Sequence, residues 1–335
     1  MAPSCLPLSV FVTILAGGAA VLAQSPPLAS LETVARASSE LPRIHSLIVS
    51  RRGAILLERY FNGRRASSLS NIKSASKSVV SALVGIAIER HLMKDVREPV
   101  SSYFPEIFKT MDDQARRAIT VEDLLSMRSG LESTSNRNYG AWVRSGNWVR
   151  YALTRPLLAS PGTVMEYSTG NSHVLSAILT KATGKSTLQF AQESLAKPLG
   201  FALQPWPRDP QGIYFGGNDM LMTPRQMLAF GELYLNKGRA GTTQVVPAEW
   251  IAQSFVPRGR SRISERLYGY GWWMREMAGR QAYYAWGFGG QFIVLVPDLD
   301  LVIVSTSAST TEDDRRAHRR TVDDIIEQIV ATLSQ

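Results

Sequence analysis

The sequence predicts an α+β protein in which one antiparallel sheet, built from both ends of the chain and flanked by helices, carries an inserted helical lobe. Three observations lead there. Runs of β-branched and aromatic residues occur near position 50 and return between 268 and 305. Apolar residues at helical spacing fill the stretch between them. The chain closes on an amphipathic pattern, Val322, Ile325, Ile326, Ile329, Val330 and Leu333, which supplies a helix to cover one sheet face.

The elements follow in order. Leu8 to Leu22 is apolar, Val21-Leu22-Ala23 offers a small-residue cleavage site before Gln24, and Ser25-Pro26-Pro27 follows in place of a basic stop-transfer cluster. This predicts a signal peptide over 1–23 and a periplasmic or secreted protein; the alternative is a retained anchor. After cleavage no stable membrane span is expected. The remainder, 24–335, is read as a single catalytic domain, with an α/β lobe over 30–90 and 215–335 and a helical lobe over 91–214. The only cysteine, Cys5, falls in the leader, so the mature fold is held by its core alone.

Ser46–Ser50 and Ala54–Tyr60 read as strands joined at Arg51-Arg52-Gly53, where glycine suits a left-handed position. Thr120-Val121-Glu122-Asp123 has the form of a capping box. Val174, Leu175, Ile178 and Leu179 predict a helix from Ser172 to Ala182 that stops at Gly184. Thr223-Pro224 is an N-cap followed by proline at the first helical position. Four strands then follow at Tyr268–Met274, Tyr283–Trp286, Phe292–Val296 and Leu301–Ser305, the last two joined tightly through Pro297–Asp300.

Charge narrows the function classes. The net +9 comes from 37 basic against 28 acidic residues, but the basic pairs are scattered and no aromatic-interleaved stripe or nucleic-acid motif accompanies them. A solvated basic surface is expected, not a nucleic-acid partner. No His-Glu-x-x-His, paired cysteines or carboxylate cluster suggests a metal, and no cofactor is expected. The Gly-x-Ser-x-Gly elbow of Ser–His–Asp hydrolases is missing, and His45, His91, His173 and His318 stand apart from one another.

The chemistry gathers at Ser74-Ala75-Ser76-Lys77, directly ahead of the apolar run Val79–Ile88. Serine one helical turn before lysine places hydroxyl and amine on one face. A buried lysine loses solvation, so its neutral form becomes accessible and can take a proton. Ser-x-x-Lys occurs three times. Ser194–Lys197 precedes Pro198 and reads as a solvated helix end, while Ser70–Lys73 reads as a loop. Only Ser74 combines a helix start, the lysine and a buried helix body. The pair predicts a nucleophile with its base.

Several segments, in order, resemble the penicillin-recognising serine hydrolases, and within them class C β-lactamase-like proteins: carboxylesterases of that type and 6-aminohexanoate-dimer hydrolases. Ser74-Ala75-Ser76-Lys77 is similar to the first motif. Thr120–Gly130, Pro161-Gly162-Thr163, Met222–Met227 and Val245–Trp250 are similar in order and spacing, so the resemblance covers nearly all of the mature chain. It implies a β-lactamase/transpeptidase-like fold. It also implies that Tyr167, in Tyr167-Ser168-Thr169-Gly170-Asn171, shuttles protons with Lys77. The family's Tyr-x-Asn departs here to Thr169, with Asn171 displaced by two; both are candidates for substrate binding. The third motif, Lys-Thr-Gly in β-lactamases, is matched by Trp286-Gly287-Phe288-Gly289-Gly290. By analogy the backbone N–H groups of Ser74 and Gly290 form the oxyanion hole, and Trp286, Gly287, Phe288 and Gly289 line the substrate.

The missing lysine is informative. A charge-assisted bond to a substrate carboxylate contributes about 1.5–3 kcal/mol. Without it, the expected reaction is hydrolysis of esters or small amides through an acyl-enzyme. The alternatives are a β-lactamase or D-alanyl peptidase, and a non-catalytic binding protein that keeps the fold. Tyr139 and Trp142, in the loop from Ser133 to Trp148, are further lining candidates.

Overall fold

The computed structural model describes residue 1 and residues 28–109, 111, 113–262, 264–310 and 315–335; the leader expected over 1–23 lies outside the described residues. Its twelve strands are β1 (Ile44–Arg51), β2 (Ala54–Tyr60), β3 (Ser70–Asn71), β4 (Leu221–Met222), β5 (Arg239–Ala240), β6 (Thr243–Gln244), β7 (Gly259–Arg260), β8 (Leu267–Tyr268), β9 (Trp273–Met277), β10 (Arg280–Gly287), β11 (Gln291–Val296) and β12 (Leu301–Ser307). Eight of them form one antiparallel sheet in the order β2-β1-β12-β11-β10-β9-β8-β7. The N-terminal hairpin therefore joins the C-terminal strands through β1 and β12, as the two clusters of strand signals require.

Local chemistry sets the turns. Arg52 and Gly53, at φ 53° and 75°, make the two-residue turn between β1 and β2. Asp300, at φ 48°, closes the connection into β12. Thr120 and Thr223 each cap a helix through a full capping box, and Gly184 ends the helix Thr169–Thr183 in the left-handed region.

The stretch predicted as one strand over Tyr268–Met274 is two, β8 and β9, with a bend between. Gly271 is the reason. A Cβ on it would lie 2.9 Å from the Lys77 carbonyl, and its own carbonyl accepts the Ser78 hydroxyl at 2.6 Å. The bend brings backbone against the helix Ser76–Glu89, which a straight strand could not do.

Two hydrophobic layers sandwich the sheet. Helices Leu28–Ser39 and Arg315–Leu333 cover one face through Leu31, Val34, Val322, Ile326, Ile329 and Val330. On the other face lie helices Pro224–Leu235 and Ser76–Glu89, with the helical segments of the middle of the chain beyond them. Ser76–Glu89 is buried from Ser76 through Ala87. Gly85 lets it approach the Trp250 ring, where a Cβ would sit 2.3 Å from Cγ. Among the described residues no helix is long and apolar enough to cross a membrane.

Candidate active site

Ser74 lies in a 3-10 turn, Lys73–Ala75, that runs straight into the helix Ser76–Glu89. The turn hangs from the short β3–β4 ladder, and the Ile72 N–H donates to the Met220 carbonyl at 3.0 Å. Lys73, immediately before the serine, holds φ at 49°, a region disfavoured for a side chain with a Cβ by roughly 1–2 kcal/mol. Its neighbours hold it there. The Lys73 N–H donates to Asn71 Oδ1 at 3.0 Å, and Lys73 Nζ pairs with Asp219 Oδ1 at 2.7 Å. Asn71 Nδ2 donates to the same carboxylate oxygen at 2.7 Å. The second Ser-x-x-Lys is thus the clamp of the turn: Ser70 is buried in β3 and Lys73 is ion-paired. The third departs from its expected place, since Ser194 is buried and accepts from Arg90 at 2.8 Å.

Lys77 has three oxygen partners. Its Nζ lies 3.1 Å from Ser74 Oγ, 3.4 Å from Thr169 Oγ1 and 2.6 Å from the Gly217 carbonyl. The side chain is 3% exposed. Burial pulls its pKa down to about 7, and the charge of Asp219 resists the fall. A neutral amine has two hydrogens and one lone pair. With Gly217 and Thr169 taking the hydrogens, the lone pair is left facing Ser74.

The Tyr167 ring lies 5.0 Å from Lys77 Nζ, stacked on Trp273 at 5.6 Å. Burial raises its pKa, while the nearby Ser74 hydroxyl works the other way. The phenol therefore stays protonated and is a donor. Serine, lysine and tyrosine, expected from separate parts of the sequence, are brought together.

The remaining candidates separate. Thr169 sits on the base, and its hydroxyl is also 3.0 Å from that of Ser135. Asn171, two residues on, points to the opposite helix face and bonds Ser129 at 3.2 Å, so it does not replace the family's amide. Tyr139 accepts from Asn218 Nδ2 at 2.8 Å, one residue past Gly217. Trp142 is fully buried and bonds the Trp148 carbonyl; it is core and not a lining residue.

Along β10 successive residues alternate faces. Gly287 faces the nucleophile turn, where a Cβ would lie 2.1 Å from the Ile72 carbonyl. Trp286 faces the other way, 6.2 Å from Trp273 and 6.4 Å from Phe292. Pairing of β10 with β9 stops at Tyr284, so the end of β10, Trp286–Gly287, packs beside the nucleophile turn with no β9 partner. Gly289 and Gly290, at φ 88° and 102°, turn the chain into β11. A Cβ on Gly290 would meet Ser307 Oγ at 2.9 Å and His318 Nε2 at 3.4 Å. The Cβ side of Gly290 thus faces Ser307 and His318, while Gly287 packs on the Ile72 carbonyl, two residues before the nucleophile. Phe288, at the tip, is exposed.

Gly217, Asp219 and Ser135 were invisible as site residues in the sequence. Gly216-Gly217 was the one available signal, since paired glycines mark close backbone approach. Among the described residues no group of His, Cys, Asp and Glu could hold a metal ion.

The family model described as Beta-lactamase matches residues 45–327. No curated protein matches the chain. Similar solved structures include a candidate 6-aminohexanoate-dimer hydrolase from Bacillus anthracis, 21% identical, TM-score 0.71, covering 88% of this chain and 81% of that one. EstCE1, a hydrolase with promiscuous acyltransferase activity, is 18% identical with TM-score 0.71 over 90% of this chain and 98% of its own. A family VIII carboxylesterase is 17% identical, TM-score 0.68, over 90% and 98%.

Proposed function

The chain belongs to the Beta-lactamase family, and on that premise we propose that it is a serine hydrolase of esters or small amides acting through an acyl-enzyme on Ser74. One observation carries the reading: a buried amine 3.1 Å from the Ser74 hydroxyl, with the Gly217 carbonyl and the Thr169 hydroxyl as its other partners. Neutral Lys77 takes the Ser74 proton as Oγ attacks the substrate carbonyl. Tyr167, protonated and beside Lys77, passes a proton to the leaving group and is refilled from Lys77. Water then attacks the acyl-enzyme with the same pair as base. The Ser74 N–H and a backbone N–H at the end of β10 or in the Gly289-Gly290 turn after it receive the oxyanion. Similarity to a carboxylesterase and to a candidate amide hydrolase supports this substrate class, as does tryptophan and glycine in place of a third-motif lysine.

Intact-mass analysis with a fluorophosphonate, beside turnover of p-nitrophenyl butyrate and a chromogenic cephalosporin, tests it. A single adduct lost on Ser74→Ala, with ester turnover exceeding cephalosporin turnover, is expected. Adduct formation that survives Ser74→Ala rules the assignment out; the reverse substrate order favours a β-lactamase.

A further inference from the structure

We propose that His173 and Asp209, neither of which touches Ser74 or Lys77, are positioning residues that aim the Lys77 lone pair by holding the Gly217 carbonyl in place. The inference rests on the hydrolase reading above. Of the three contacts to Lys77 Nζ, the Gly217 carbonyl is the shortest, at 2.6 Å. Gly217 stands at φ 84°, and a Cβ there would press on Ser172 Cβ at 2.6 Å and Lys77 Cγ at 2.8 Å. Its placement therefore depends on the loop that leads into it.

That loop is tied to one histidine at both ends. The Gly216 N–H donates to His173 Nδ1 at 3.3 Å. With Nδ1 accepting, the ring proton is on Nε2, which donates to Asp209 Oδ2 at 3.0 Å. The other oxygen, Oδ1, accepts from the N–H groups of Gln211 at 2.9 Å and Ile213 at 2.8 Å. Both side chains are fully buried, and Trp142, Trp148 and Phe215 surround the ring at 5.2–5.9 Å. Burial keeps the imidazole neutral, against the pull of Asp209. Protonation would place a hydrogen on Nδ1 and break the Gly216 bond.

The consequence for Lys77 has a definite sign. The titratable groups facing it are Tyr167 and, through space, Asp219, itself paired with Lys73; Asp209 faces His173. A carbonyl that accepts from the amine favours the charged form. Loosening Gly217 should lower the Lys77 pKa further and free the lone pair to swing away from Ser74. The reactive-serine rate then falls at its plateau while its acidic limb moves to lower pH. A role in stability alone lowers the melting temperature and leaves the limb in place.

The test is the rate of Ser74 labelling by a fluorophosphonate from pH 5 to 9 on the full chain. His173→Gln keeps a group near Asp209 but loses the acceptor for Gly216. His173→Asn keeps an acceptor near the Nδ1 position. Losing the neutral Gly216 bond predicts a plateau roughly fivefold slower for His173→Gln, with the limb lower by roughly half a unit. His173→Asn should recover most of both. Asp209→Asn, which retains the bulk, presents an amide N–H to the ring and inverts its tautomer, so the same shift and faster amide exchange across 209–217 are expected. Folded His173→Gln and Asp209→Asn with wild-type plateau and limb overturn the proposal. A wild type that does not label overturns the hydrolase reading, and this role with it.

Discussion

Lys77 carries a liability that its chemistry requires. Its pKa in the fold is about 7, below the 10.5 of a free lysine, because burial disfavours the ammonium. The unfolded chain binds the extra proton between those values, so the folded state is penalised there. The penalty is fully present below pH 7 and fades as pH rises toward 10.5. Lys77→Met, which fills the same space without the charge, should be more stable at pH 7 by on the order of a few kcal/mol, and inactive. Denaturant unfolding at pH 7 and pH 10 checks this: the gap between variant and wild type must narrow at the higher pH. Activity has the matching sign. Since the neutral amine is the base, kcat/KM for an ester should rise with pH through about 7. A profile flat across pH 6 to 8 contradicts the assignment of Lys77.

At the scale of elements, the site is a meeting of a 3-10 turn, the edge of β10 and the backbone of 216–219. Close approach decides each contact. A Cβ at Gly287 would lie 2.1 Å from the Ile72 carbonyl, so Gly287→Ala must push β10 off the nucleophile turn. Strain of this kind costs about 1–3 kcal/mol. The ester rate should drop by at least about tenfold, because the oxyanion donor moves with the strand. Thermal unfolding beside steady-state kinetics separates the two effects; equal activity at unchanged Tm would mean the strand does not supply the donor. Ser74 and Lys77 were legible because one helical turn joins them. Tyr167 was found by resemblance, and Gly217, Asp219 and Ser135 were not found at all. Their contributions are a carbonyl, a charge and a hydroxyl brought in from loops, and such contacts leave no periodic trace.

Across the whole molecule, the sheet separates two apolar layers; the one under the terminal helix Arg315–Leu333 reaches the site through Trp273 and Tyr167, while Ile329 belongs to the terminal helix itself. Ile329 is fully buried there. Ile329→Ala should therefore destabilise by about 2–5 kcal/mol while the folded enzyme labels at the wild-type rate. A large loss of labelling in the folded variant would show that this layer couples to the site. The alternation and capping patterns of the chain determined which segments are strands and helices, that both termini feed one sheet, and that a serine and a lysine share a helix face. These follow from local sterics and from which residues avoid water. Only the tertiary structure decided that Lys73 is a clamp and not a second base, that the β9 pairing ends before the end of β10, that Gly287 packs on the Ile72 carbonyl, and that a buried His173–Asp209 pair stands behind Gly217. Those outcomes depend on atoms from separate segments of the chain, 146 residues apart for Lys73 and Asp219 and 36 for His173 and Asp209, whose distances are fixed by the packing of the whole.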